Sequence, residues 1–492
     1  MRVRSLDDVT AAGDLGWFQP GIDRIRALVE TVEADPPFID TRQPFVLARA
    51  PGRLDVMGGI ADYSGALVLE MPLAAATFAA AQGQDARRID VVSVRAGRPF
   101  RFGMELDRVL EGELSSAAAL ASFFAARPDD RWASYVVGCV YACLTLTGAP
   151  TPRRGLRLVI TSDVPEGKGV SSSAALEVAV MTATAACFDL EIDGVALATL
   201  CQWVENHIAA APCGIMDQMT SALGRRDRLL RLRCQPAIVE GHVSIPAGCR
   251  FYGIDSGIRH AVTGADYGTV RTAAFMGYRI IADLAGMQVS GPEGVIDVRD
   301  DDWHGYLANI APAEFLARFA ERLPERMRGA DFLHRYRGIT DSVTHVDPER
   351  WYPVRAATSH PVHEHARVMH FADLLASGIA GRDTAVQMGE LMSASHASYS
   401  MCGLGSDGTD RLVELVAVAG PSEGLFGAKI TGGGSGGTVA ILGTDSAIGA
   451  VHHIARAYER ETGRSAFVFD GSGPGAEELG VLSFRASTAT SQ

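Results

Sequence analysis

The sequence predicts a two-lobed protein of mixed strands and helices, and three observations carry that expectation. At 492 residues the chain is too long for a single hydrophobic core. A stretch that alternates as a strand does, Gly155-Leu156-Arg157-Leu158-Val159-Ile160-Thr161, runs into a glycine loop and then into the helix formers Ala174 to Met181. A second strand-like stretch, Arg250-Phe251-Tyr252-Gly253-Ile254-Asp255, opens a separate run of sequence.

Taken in order, residues 1–44 carry a short amphipathic helix, Ile22 to Val32, expected to pack on or cap the first lobe. Residues 45–240 are expected to form that lobe and 241–485 the second, with the charge-rich segment Asp300 to Glu349 inserted into it. The tail over 486–492 is small and polar and is expected to fray. With 47% hydrophobic and 21% charged residues the chain is globular and not disordered. A net charge of −13 argues against nucleic-acid or anionic-membrane partners, so an anionic nucleotide would have to be held by local features. Nothing in the composition sets an oligomeric state. The start, Met1 to Asp8, lacks the apolar core of a signal peptide, and the most apolar run, Ala66 to Ala81, is broken by Glu70 and Pro72. A cytoplasmic location is expected. Eight cysteines without a Cys-x-x-Cys pair fit buried thiols in a reducing compartment.

Three glycine-rich segments point to chemistry. They are Ala50-Pro51-Gly52-Arg53 running on to Asp62-Tyr63, then Pro165-Glu166-Gly167-Lys168-Gly169-Val170-Ser171-Ser172-Ser173, and Lys429-Ile430-Thr431-Gly432-Gly433-Gly434-Ser435-Gly436-Gly437. Glycine lets backbone N–H groups approach an anion closely. Several such loops in one chain fit a polyphosphate gripped from more than one side, where the plainer alternative is three tight turns. The second segment opens a helix, whose N-terminus presents unpaired N–H groups to an anion. The hydroxyls of Ser171 to Ser173 can cap that helix or ligate Mg²⁺, and a cap alone needs only one of them. The spacing matches neither the GxxxxGK[ST] phosphate loop nor the GxGxxG dinucleotide fingerprint. Lys168 and Lys429 both sit in glycine loops and are expected near phosphate. His360, His363, His365 and His370 do not place three imidazoles on one helix face, so packing or surface roles are expected for them over a metal site.

In this order the segments resemble the signature of the GHMP kinases, and of their galactokinase branch in particular. There the first motif reads Ala-Pro-Gly-Arg-x-Asn-x-Ile-Gly-Glu-His-Thr-Asp-Tyr, the second Pro-x-Gly-x-Gly-Leu-Ser-Ser-Ser-Ala, and the third Met-Thr-Gly-Gly-Gly-Phe-Gly-Gly after a lysine or arginine. Cys213-Gly214-Ile215-Met216-Asp217-Gln218 matches a further motif of that branch. Smaller matches are Trp132 to Val136, Gly264-Ala265-Asp266-Tyr267, and Gly389 to Met392 with Ser395-His396, so the resemblance runs from about residue 45 to about 480. It implies an α+β, two-lobed GHMP kinase fold: an N-terminal lobe with mixed sheet and helices, a C-terminal ferredoxin-like lobe, and the active site between them. It also implies an ATP- and Mg²⁺-dependent kinase for a small molecule. By the same resemblance Asp217 is the catalytic aspartate and Arg53 the arginine lying against it and the transferring phosphoryl. Asp62, Gly214 and Tyr267 fall at sugar-binding positions. Gly167, Lys168, Gly169, Val170, Ser171, Ser172 and Ser173, with Gly432, Gly433 and Gly434, fall at ATP-binding ones, and Ser173 and Glu205 at the metal. An aspartate beside a fixed cation keeps the ionised form that a base requires.

The first motif departs from the pattern. Where galactokinases read Gly-Glu-His-Thr-Asp-Tyr, the chain reads Gly58-Gly59-Ile60-Ala61-Asp62-Tyr63. In that family the glutamate and histidine bind the exocyclic hydroxymethyl end of galactose, and a site built for a hydroxyl is left with unpaired polar groups when the hydroxyl is missing. Gly59 and Ile60 are therefore expected to line a shortened, apolar end of the pocket. The implied substrate is a galactose-like sugar without that arm, such as L-arabinose. Leu54 to Gly65, Val164 to Val170, Gly253 to His260 and Cys402 to Thr409 also resemble the kinase part of plant L-arabinokinases. The alternatives are a kinase for galactose or another sugar, and a catalytically silent sugar sensor. Intact Arg53, Ser173, Glu205 and Asp217 argue against the sensor.

Overall fold

The chain builds its first sheet around two long strands. The elements are β1 (Val3–Ser5), β2 (Phe45–Met57), β3 (Leu67–Gln84), β4 (Arg88–Arg95), β5 (Arg98–Glu105), β6 (Gly155–Ser162), β7 (Arg228–Arg233) and β8 (Ile238–Ser244). The computed structural model describes residues 1–31, 38–95, 98–259, 265–378 and 381–484. Val32, His260, Gly264 and the 486–492 tail lie outside the described residues. Small alternating side chains explain why β2 and β3 can be covered on both faces. Ala48, Ala50, Ala79 and Ala81 face one core, while Leu47, Phe78 and Ala80 face the other. Helix α1 (Leu15–Thr31) covers the second face with Phe18 and Ile25, and so starts earlier than its C-terminal apolar stripe indicated. The first face is covered by α2 (Ala133–Thr145), α3 (Ser172–Cys187), α4 (Gly194–His207) and α5 (Met216–Leu223).

The second sheet has four antiparallel strands: β9 (Arg250–Asp255), β10 (Leu425–Ile430), β11 (Thr438–Gly443) and β12 (Phe467–Phe469), in the order β10-β11-β9-β12. Between them run α6 (Ala265–Leu284), α7 (Val354–Ala376), α8 (Arg382–Met401), α9 (Asp407–Ala419) and, after β11, α10 (Ile448–Thr462). This β-α-β-β-α-β path is the ferredoxin-like arrangement. Alternation along β9 sends Tyr252 and Ile254 to α9 and α10, and Phe251 to Phe371 of α7. Among the described residues no helix is long and apolar enough to cross a membrane.

Two features depart from the partition expected of the sequence. The last strand, β13 (Val481–Phe484), does not stay with the second half. It inserts into the first sheet between β1 and β2, giving the order β1-β13-β2-β3-β6-β4-β5 with β7 and β8 branching from β3. The unpaired edge of β2 and the buried pair Val481 and Leu482 account for this return. Residues 1–44 accordingly begin as a sheet strand and are not purely helical. The inserted segment 300–349 is no loose excursion: Trp303, Leu307, Phe315, Phe319 and Phe332 form one core with α6, α7 and the first motif's Ile60 and Tyr63.

A buried ion pair joins the two sheets. Lys429 Nζ of β10 donates to Asp55 Oδ2 of β2 at 2.7 Å, both side chains fully buried. Asp55 also accepts from the N–H groups of Gly59 (3.0 Å) and Gly432 (3.1 Å), and its own N–H donates to Thr431 Oγ1 (2.8 Å). Burial alone would raise the Asp55 carboxyl, but Lys429 and Arg53 hold it below its ordinary value. Lys429 is thus a lobe-joining residue, and the expectation that it lies near phosphate is corrected. Strand alternation turns it away from the face where Ala428 meets α9 and α10. Lys429→Met leaves Asp55 buried and unpaired and should lower unfolding free energy by roughly 3–5 kcal/mol, read from the urea midpoint. Adding Asp55→Asn should recover part of the loss. A loss under about 1 kcal/mol for the single variant would show that the pair does not hold the lobes.

Candidate active site

Arg53 lies where the three glycine segments meet. Its Nε donates to Asp217 Oδ1 at 2.9 Å, Nη2 is 2.8 Å from the same oxygen, and Nη1 donates to the Gly169 carbonyl at 2.7 Å. A second carboxyl, Glu70, approaches Nε at 3.3 Å. Burial disfavours the guanidinium's charge, but Asp217, Glu70 and Asp55 together hold its pKa above the ordinary value. Burial and the Asp55 charge push Glu70 well above the carboxylate range. Asp217 differs from both neighbours in being reachable, its side chain 20% exposed in the first turn of α5. Ser221 Oγ ties that helix to the Pro51 carbonyl at 2.8 Å.

The glycine loops close around this centre. Arg53 N–H donates to the Val170 carbonyl (3.1 Å), and Thr438 Oγ1 donates to the Lys168 carbonyl (2.7 Å). Gly432, next to Gly433 and Gly434, lies so near Arg53 that a Cβ there would sit 2.9 Å from Nη2. Gly167 and Gly169 both have φ near +72°, and Ser171 takes the left-handed φ of 59°. At the N-terminus of α3, Ser171 makes no side-chain cap and its buried hydroxyl has no partner, so simple capping does not explain the serine run. Ser172 begins the helix, and the Ser173 hydroxyl bonds Glu205. Lys168 bonds Asp255 at the end of β9 and is a quarter exposed.

Glu205 and Ser173 offer oxygen donors at one place, the donor type that Mg²⁺ prefers. Gln218 Nε2 donates both to Glu205 (2.6 Å) and to the buried Glu177 (3.1 Å). Burial pushes Glu205 up to about 7 against the bond from Ser173, with Asp217's charge adding to the rise. A bound cation would favour the ionised form and so fits here. The histidines of α7 have separate partners: His360 meets Ser398 Oγ at 2.7 Å, and His365 Nδ1 accepts from the Leu67 N–H at 3.0 Å.

The residues expected at the sugar end group near Asp217. Asp62 sits in the short 3-10 helix Gly59–Ser64, buried, with Oδ1 lacking a partner. Burial, then the charge of Asp217, raise its pKa to about 7. Its other oxygen packs on Gly214, where a Cβ would fall 1.5 Å away, so only glycine fits. Tyr267 of α6 packs edge-on against Tyr63 at 5.9 Å, and the Tyr63 hydroxyl is buried without a partner. Gly59 and Ile60 differ from expectation. Gly59 has φ of 48°, and a Cβ there would meet Tyr399 Oη at 1.5 Å. That hydroxyl accepts from the Ile60 N–H (2.8 Å) and donates to the Gly432 carbonyl (3.0 Å), while the Ile60 side chain is in the core. The space at position 59 is therefore filled by a tyrosine hydroxyl and not lined by an open apolar wall.

Sequence reasoning missed Glu70, Arg271, Tyr399 and Asp55. For Glu70 a signal existed, a lone acid in an otherwise apolar run; for Asp55 it was an acid where the resembling motif has asparagine. Arg271 and Tyr399 have none, because their partners lie far along the chain.

A buried acid with a folded pKa near 7 and an ordinary unfolded one holds its proton longer when folded. Stability is therefore lost as pH rises from about 4 to about 7 and is constant above. Asp62→Asn removes this dependence. Its stability relative to the parent should grow by up to roughly 4 kcal/mol between pH 4 and pH 8, as read from urea unfolding. A difference independent of pH would show that Asp62 ionises normally.

Comparison with known proteins identifies the family. The GHMP kinases N terminal domain model matches residues 134–225, and the galactokinase galactose-binding signature matches 38–83. An L-arabinokinase of Arabidopsis thaliana is 43% identical over 486 residues, covering 89% of this chain and 47% of its own length. The chain thus spans about half the length of that relative. A galactokinase of Chloroflexus aggregans is 31% identical over 427 residues, covering 86% of this chain and 90% of the relative. In fold the chain is similar to Lactococcus lactis galactokinase, solved with galactose: TM-score 0.67, 22% identity, 88% of this chain and 95% of that one covered. The chain belongs to the GHMP kinase family, in its galactokinase branch.

Proposed function

We propose that the protein is an ATP-dependent sugar 1-kinase that phosphorylates L-arabinose to L-arabinose 1-phosphate. The observation that carries the reading is Asp217: a partly exposed carboxylate anchored by Arg53 at the meeting of three glycine segments, beside Asp62, whose Oδ1 has no partner. In this reading the Asp62 carboxyl and Tyr267 hold ring hydroxyls and present the anomeric hydroxyl to Asp217. Asp217 takes that proton as the sugar oxygen bonds to the γ-phosphorus and ADP leaves. Arg53 holds Asp217 in place and faces the charge on the transferring group. The segment Gly167–Ser173 and Gly432–Gly434 supply backbone N–H groups to the phosphates. Ser173 and Glu205 would hold Mg²⁺, which when bound neutralises phosphate charge and orients the triphosphate.

Two observations favour L-arabinose: the plant relative at 43% identity, and the filled space at position 59, which leaves no room for a side chain that would bind an exocyclic hydroxyl. D-galactose is the second reading, favoured by the galactose-binding signature and the galactokinase relatives.

Asp217→Asn should lower kcat at least about a hundredfold in a coupled ADP assay while nucleotide affinity is kept. Turnover near wild type would remove Asp217 from the mechanism. Across free sugars, kcat/KM should fall from L-arabinose through D-fucose to D-galactose, the last by roughly ten- to a hundredfold, from a hydroxyl desolvated without a partner. A preference for D-galactose would overturn the substrate while leaving the kinase assignment standing.

A further inference from the structure

We infer that the inserted segment 300–349 is part of the sugar site and that its Asp341 is a positioning residue for it. The inference deepens, and rests on, the proposed sugar-kinase function. Asp341 grips Arg271 of α6 with both oxygens, Oδ2 from Nε at 2.8 Å and Oδ1 from Nη2 at 2.9 Å. The carboxylate is itself fixed by the N–H groups of Val343 and Thr344, both at 3.2 Å, and by Thr344 Oγ1 at 2.6 Å. The remaining arm, Arg271 Nη1, donates to the Cys213 carbonyl at 2.9 Å. Cys213 opens the segment whose next residue, Gly214, packs on the Asp62 carboxylate and whose fourth following residue is Asp217. Asp341 therefore reaches the sugar residues through one guanidinium and one carbonyl.

The rest of the inserted segment backs the same place. Trp303 and Leu307 share a core with Ile60 and Tyr63, and the Tyr306 ring lies so close to Gly65 that a Cβ there would be 2.9 Å from it. The helix carrying Asp62 is thus supported from its outer side by residues the insertion supplies. Stability does not explain the ion pair, because a buried arginine–carboxylate pair breaks roughly even with an apolar replacement. What the pair provides is orientation: with two arms on Asp341, Arg271 cannot turn to the free oxygen of Asp62, which stays available to a hydroxyl.

The test compares the full chain with Asp341→Asn, Arg271→Lys, the double variant and the mild Thr344→Val. For Asp341→Asn, KM for the sugar that wild type uses best should rise at least about tenfold, while KM for ATP and kcat each move less than about threefold. Arg271→Lys should share that pattern, and the double variant should be no more than about twofold worse than the worse single, since both act through one path. If Asp341→Asn does not fold, Thr344→Val decides by the same split at about a threefold rise. Sugar and ATP constants that move together, unchanged constants, or multiplicative effects in the double variant would each overturn the positioning role. A wild-type chain that phosphorylates no sugar would overturn the functional reading and this inference with it; variants indistinguishable from an active wild type would overturn the inference alone.

Discussion

A guanidinium buried among carboxyl groups is the constraint on which the rest of the structure depends. Arg53 must be charged, yet it lies out of water, so its surroundings have to supply what solvent would. Asp217 supplies the main countercharge, Glu70 approaches from the adjacent strand, and the Gly169 carbonyl takes one more N–H. Each partner comes from a different stretch of chain, and satisfying one cation brings the first motif, the second glycine loop and α5 to one point. Asp217 is left as the member of this group that solvent can reach.

Around that centre the backbone is brought close wherever side chains are absent. Gly214 admits the Asp62 carboxylate, Gly432 admits the Arg53 guanidinium, and Gly59 admits the Tyr399 hydroxyl. A second buried charge pair, Asp55 with Lys429, sets the separation of the two sheets and so the distance between the third glycine loop and the first motif. Tyr399 repeats the link with neutral hydrogen bonds. The first motif and the third glycine loop are thereby parts of one network.

The parts of this arrangement legible in the sequence are those with a local signal. The strand, glycine loop and helix around Gly167 to Ser173 follow from alternation and helix formers, and the order of the three glycine segments carries the family resemblance that brings Arg53, Asp62 and Asp217 into view. The less legible parts depend on direction. Lys429 sits in a glycine-rich motif, but strand alternation aims it into the interior, which proximity in sequence does not show. Ile60 reads as pocket wall in the sequence and is core in the structure, because the inserted segment covers it from outside. The return of β13 to the first sheet rests on four residues beside a polar tail, too short a run to declare its partner. Arg271 and Asp341 are 70 residues apart, and nothing local in either marks the pair.

The central claim is that the Arg53–Asp217 pair directs the γ-phosphoryl of ATP to an anomeric hydroxyl. Phosphorus NMR of the protein with ATP, Mg²⁺ and L-arabinose tests it most directly. The account predicts one new resonance split by the anomeric proton, growing in step with ADP and absent with Arg53→Met. Phosphate appearing at another hydroxyl, ADP formed only with free inorganic phosphate, or an undiminished signal from Arg53→Met would contradict it.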